Sequence, residues 1–187
     1  MHRQPLITLL NEYEPVDVEQ RRTRDRMLSF VAAHPECLQR ELRVGHITSS
    51  AWIESADGSQ ALLTHHRKLK KWLQLGGHVD GEPDVLRSAL REAREESGIE
   101  SIEPVSHAVF DLDIHEIPAY GNTPAHLHYD VRFRLRVTDA SPLVVSEESI
   151  ALAWVTPEAF STYATDESVA RLFRKWSQVR KADCRSI

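Results

Sequence analysis

A chain of 187 residues is long enough for one domain with a sizeable core and a short extension. Its 41% hydrophobic and 27% charged shares are those of an ordinary globular protein, and no run of about 18 apolar residues exists to form a membrane span. A net charge of −5, from 23 basic and 28 acidic side chains, argues against a nucleic-acid partner. Cys37 and Cys184 give neither a disulfide framework nor metal-knuckle spacing. The opening MHRQPLITLLNEYEP meets acidic residues too early for a secretory leader, so the cytoplasm is the expected location.

Leu6, Leu9, Leu10 and Tyr13 recur at helical spacing, and Met27, Phe30 and Val31 mark a second helix that stops before Pro35. From His46 the pattern turns β-like: VGHITSSAWIES and SQALLTHH flank Ala56-Asp57-Gly58, a hairpin turn. A basic stretch with Arg67 and Lys70 leads to Trp72, Leu73 and Leu75, a strand that breaks at Gly76-Gly77 into a predicted turn. DVLRSALREAREES reads as a helix with Pro83 in its first turn and Gly98 as its stop. Two long β-like runs follow, VSHAVFDLDIHEI and HLHYDVRFRLRV, then ALAWV and a last helix with Val169, Leu172, Phe173 and Trp176 on one face. Strands with few, segregated helices predict an α/β fold around a mixed sheet.

The chemistry concentrates in Arg91-Glu92-Ala93-Arg94-Glu95-Glu96. On a helix Glu95 and Glu96 stand three and four residues from Glu92, so three carboxylates share one surface and repel unless neutralised. Hard divalent cations prefer such oxygen ligands, although Arg91 and Arg94 could also neutralise the face by themselves. Backbone exposed at Gly76-Gly77 and the cations from His65 to Lys71 complete what a diphosphate requires.

Gly76-Gly77-His78-Val79-Asp80-Gly81-Glu82, followed by Arg91-Glu92-Ala93-Arg94-Glu95-Glu96-Ser97-Gly98-Ile99, resembles the Nudix box. In that pattern, G-x5-E-x7-R-E-U-x-E-E-x-G-U, U is aliphatic. The resemblance implies a Nudix-type α/β/α sandwich around a mixed sheet, with residues 1–41 as an N-terminal helical extension and 42–187 as the hydrolase domain. It implies hydrolysis of a phosphoanhydride in a nucleoside diphosphate linked to another moiety, or a related small-molecule diphosphate, with Mg²⁺ or Mn²⁺ as cofactor. Glu92, Glu95, Glu96 and the Gly77 carbonyl become metal ligands, Arg91 orients a neighbouring glutamate, and Glu92 could alternatively be the general base. The family's base often lies outside the box, and Glu147 and Glu148 are the candidates here. The pattern's first glutamate falls on Pro83. Glu82, one residue early, is either its replacement or a helix N-terminal acid. The fold also hosts isopentenyl diphosphate isomerases with a Cys-Gly-His stretch, but Gly76-Gly77-His78 lacks that cysteine. A nucleotide-sensing module without hydrolysis is the alternative, and the N-terminal helices could support a homodimer.

His126, His128 and Asp130 alternate along one strand face, as do Asp111, Asp113 and His115 on another. Such polar rows mark either an edge facing water or the wall of a cavity. In the second case His115, His126 and His128 join Arg67 and Lys70 as substrate-binding candidates. A zinc site built from those three histidines is a weaker reading of the same rows.

Overall fold

Capping and apolar spacing fix the helices in this computed structural model, which describes residues 2–139 and 141–183. In chain order the elements are α1 (Gln4–Glu12), α2 (Val18–Ala33), β1 (Gly45–Glu54), β2 (Ala61–His66), β3 (Trp72–Leu73), β4 (Leu75–His78), α3 (Val85–Ser97), β5 (Ile102–Pro104), β6 (Asp111–Ile117), β7 (His126–Val137), β8 (Ser149–Val155) and α4 (Glu167–Asp183). A 3-10 turn, Phe160–Thr162, precedes α4. Two compact units share them: Met1–Ser50, Gly76–Glu92 and Ser106–Phe133 in the first, Ala51–Leu75, Ala93–Val105 and Arg134–Ile187 in the second. Cys184 lies outside the described residues. No described helix is long and apolar enough to cross a membrane.

In the first unit, Asp17 caps α2 by accepting from the Gln20 N–H at 2.7 Å. The expected apolar faces are buried: Leu6, Leu10 and Tyr13 around α1, and Met27, Phe30 and Val31 on α2. The Gln20 amide group, also buried, accepts from Tyr13 at 2.7 Å and donates to the Leu112 carbonyl at 3.2 Å. Phe30 stacks on Tyr129 at 3.8 Å. The N-terminal helices are thus fastened to β6 and β7, which pair antiparallel from Asp111 with Arg132 to Ile117 with His126.

In the second unit, β2 pairs antiparallel with β8, Ala61 opposite Val155, and with the end of β1, Ile53 opposite Leu62. The turn between β1 and β2 closes where expected, with Gly58 donating to the Ser55 carbonyl at 2.8 Å. Buried Val169, Leu172 and Trp176 carry the inner face of α4, and Trp176 meets Trp52 at 5.7 Å.

Three local expectations are corrected. Gly76 and Gly77 are not a turn but part of β4; the turn comes later, where Asp80 and Gly81 have φ of 49° and 82°. Pro83 lies outside α3, because Asp84 is its cap and accepts from the Arg87 N–H at 3.1 Å. The run from Val105 is strand only from Asp111. Val105 donates to the Arg134 carbonyl and Phe110 to that of Arg132, so the residues between them have too few partners on β7 and loop out.

Candidate active site

Close packing explains the two glycines of β4. A Cβ at Gly76, where φ is 151°, would stand 2.5 Å from the Ser50 Cα. At Gly77 a Cβ would stand 2.6 Å from Oε2 of Glu92. The bare backbone thus lets the first carboxylate of the α3 acid series sit directly on β4. Arg91 holds that arrangement from its own helix, with one nitrogen 2.8 Å from Oε1 of Glu92 and another donating to the His78 carbonyl at 2.7 Å. Carboxylate and backbone carbonyl oxygens are donors that fit a hard cation such as Mg²⁺ or Mn²⁺.

Glu82 sits before the helix. Its Oε1 accepts from the Asp84 N–H at 3.1 Å, and its Oε2 is 3.5 Å from Arg87. These are contacts of a residue steadying a helix N-terminus. Asp80 is ion-paired with Arg40, whose hydrogen bond holds the carboxyl below the usual carboxylate range.

In the second unit, Glu95 is exposed and Glu96 half-buried on α3. Arg94 ties off that helix by donating to the carbonyls of Glu100 and Ile102, each at 3.1 Å. The Arg67 guanidinium donates to the Glu147 carbonyl at 2.8 Å and that of Ser149 at 2.7 Å. Its backbone N–H reaches the Glu148 carbonyl at 2.8 Å. Arg67 therefore holds the segment that carries Glu147 and Glu148, both exposed. Lys70 is exposed in the turn after β2, with φ of 55°.

The polar strand rows of the first unit are neither a simple edge nor a simple wall. Asp111 and Asp130 are buried around a buried Arg132, whose nitrogens lie 3.4 Å from Asp111, 3.3 Å from Asp113 and 2.7 Å from Asp130. Thr48 and Ser50 hydroxyls donate to Asp130 at 3.0 and 2.8 Å. Farther along, His115 contacts Asp113 at 2.9 Å and His126 contacts the Pro124 carbonyl at 2.9 Å. His128 is packed among other imidazoles, with ring centroids 4.8 Å from His46, 5.5 Å from His78 and 5.5 Å from His115. Burial first, then the neighbouring His78 and His126, pull the His46 imidazole down to about 4, while the Leu42 backbone pulls the other way. Burial and the surrounding histidines depress His128 as well.

Among the described residues, His46, His78 and His128 form the one group of three whose possible ligand atoms all lie within 4.8 Å of one another. The grouping of His115, His126 and His128 does not meet that measure. His46 was missed because it opens β1, where an isolated histidine in a β-like run gives no signal of its own. No carboxylate cluster meets that measure among the described residues. Like charges three and four residues apart on a helix repel.

A search of curated proteins returns no match to this sequence. Solved structures do resemble the fold. A C. elegans Ap4A hydrolase in a binary complex matches at TM-score 0.59 and 20% identity, over 73% of this chain and 98% of that one. A MutT protein from Methanosarcina mazei Go1 gives 0.58 and 21%, over 75% and 98%. The E. coli dihydroneopterin triphosphate pyrophosphohydrolase gives 0.55 and 17%, over 69% and 92%. At these identities the likeness shows the α/β fold expected from the sequence. The NUDIX domain family matches residues 45–176. With well over half of its length matched, the chain belongs to the NUDIX domain family.

Proposed function

We propose that the protein is a divalent-metal-dependent pyrophosphohydrolase in which water opens a phosphoanhydride of a small-molecule diphosphate, such as a nucleoside diphosphate linked to another moiety. The observation that supports this most is the seat of Glu92 on the bare backbone of Gly77, held by Arg91. Mg²⁺ or Mn²⁺ would be held by Glu92, Glu95, Glu96 and the Gly77 carbonyl. When bound, the cation neutralises diphosphate oxygens and lowers the pKa of the attacking water.

The chain's own residues supply positioning and proton transfer. Arg91 is a positioning residue: it fixes Glu92 and the His78 carbonyl together. A carboxylate must take the proton of the attacking water, and we assign this to Glu148 outside the helix, with Glu92 as the candidate within it. Arg67 steadies the Glu147–Ser149 backbone, and Lys70 is assigned to the substrate phosphates. His115 and His126, half-buried on β6 and β7, offer ring nitrogens to the part of the substrate beyond its phosphates. The Ap4A hydrolase and the triphosphate pyrophosphohydrolase among the similar structures are in keeping with that substrate class.

The test is a panel of nucleoside triphosphates, dinucleoside polyphosphates, nucleotide sugars and prenyl diphosphates, with and without Mg²⁺ or Mn²⁺. Metal-dependent release of phosphate or a nucleoside monophosphate from at least one member is expected. Tight binding of a nucleotide without turnover would favour a sensing module instead.

A further inference from the structure

We propose that His46, His78 and His128 form a binding site for a zinc-class transition-metal cation, held by three imidazole nitrogens rather than by the carboxylates of α3. The proposal does not rest on the hydrolase reading.

Three observations carry it. First, the ring spacing fits. A tetrahedral zinc with Zn–N near 2.05 Å sets its ligand nitrogens about 3.3 Å apart and its imidazole centroids about 5.2 Å apart. The three centroid distances here are 5.0, 4.8 and 5.5 Å. The possible ligand atoms already lie within 4.8 Å of one another, so rotation of the rings closes the remaining gap with the strands in place.

Second, buried nitrogens lack partners. His46 is 2% exposed, yet neither of its ring nitrogens meets a partner in hydrogen-bonding geometry, and Nε2 of His128 is equally orphaned. Leaving such a group unsatisfied costs about 1–3 kcal/mol, and coordination removes that penalty for the one nitrogen of each ring that binds the cation. Aromatic packing alone would be served better by phenylalanine at these positions.

Third, the donors select the metal. Imidazole nitrogens suit zinc, copper, nickel and iron, whereas Mg²⁺ and Mn²⁺ prefer the carboxylates of α3. The site stands on β1, β4 and β7, with one ligand from each strand. Three protein ligands leave the fourth position for water or an anionic oxygen. His126 is not in the ligand set, although its ring lies 5.1 Å from His46.

The test is metal binding to the full-length protein stripped by chelation. One equivalent of Co²⁺ should give the visible absorption of a low-coordinate site, displaced by Zn²⁺ and not by excess Mg²⁺. X-ray absorption of the one-to-one zinc protein should show a nitrogen shell with the outer scattering of three imidazoles. His46→Gln and His128→Gln should each weaken zinc binding about 100-fold or more, while His107→Gln on an exposed loop and Glu96→Gln stay within about threefold of wild type. Failure of the wild-type protein to bind stoichiometric zinc would overturn the proposal. So would an oxygen-only shell, or undiminished affinity in a folded His46→Gln protein. Should the histidine variants not fold, the wild-type absorption spectrum decides.

Discussion

Replacing Gly77 by alanine puts a methyl carbon 2.6 Å from Oε2 of Glu92, where ordinary contact begins at 3.4 Å. The carboxylate must therefore retreat by about 0.8 Å. It is the far end of a flexible side chain, and Gly77 has no positive φ, so the backbone accepts alanine. Folding stability should change by less than about 1 kcal/mol, helped by the smaller conformational freedom of the unfolded chain. Catalysis should not be so tolerant: a displacement near 1 Å in a positioned group lowers rates by about 100-fold. Gly76→Ala is the control. There the new carbon meets the Ser50 Cα at 2.5 Å with φ at 151°, and neither backbone can give way. That variant should lose about 2–4 kcal/mol, or roughly 5–15 °C in Tm. Urea denaturation and initial hydrolysis rates on the best substrate of the panel would read both variants. A stable Gly77→Ala protein with wild-type kcat would refute the assignment of Glu92, and a Gly76→Ala protein as stable as wild type would refute the packing argument.

Arg132→Met leaves Asp111 and Asp130 buried without their guanidinium and should destabilise the fold by about 3–5 kcal/mol, checked by chemical denaturation. Glu82→Gln keeps an acceptor for the Asp84 N–H, so it should cost under about 1 kcal/mol and leave kcat within about twofold. A tenfold fall in kcat would place Glu82 in the catalytic set instead. Cys37 is fully buried, and burial raises its thiol to about 11, so mass-spectrometric mapping should find it unlabelled by a thiol reagent until the protein unfolds.

Periodic segments were legible from the chain alone. HLHYDVRFRLRV is β7 from end to end, and its apolar row from Tyr129 to Val137 is buried as alternation requires. The acidic helix likewise runs Val85–Ser97, because its apolar stripe and the glycine after it agree. Failures came where tertiary packing overrode a local signal. Gly-Gly reads as a breaker, yet β4 needs both positions bare because β1 and Glu92 press against them. The polar strand rows revealed their spacing but not their solution, a buried arginine shared by three aspartates. His46 and His128 stand far apart in sequence, and only strand pairing brings their rings to 4.8 Å. No local pattern encodes that meeting.

In the proposed function the carboxylates of α3 carry a metal-dependent hydrolysis. Its most direct test is the kcat of Glu96→Gln against wild type, at saturating Mg²⁺ and on the best substrate of the panel, with circular dichroism confirming the fold. Glutamine preserves the size of the side chain and removes the charge the cation needs, so kcat should fall by about three orders of magnitude or more. A folded Glu96→Gln protein that turns over near the wild-type rate would contradict the account.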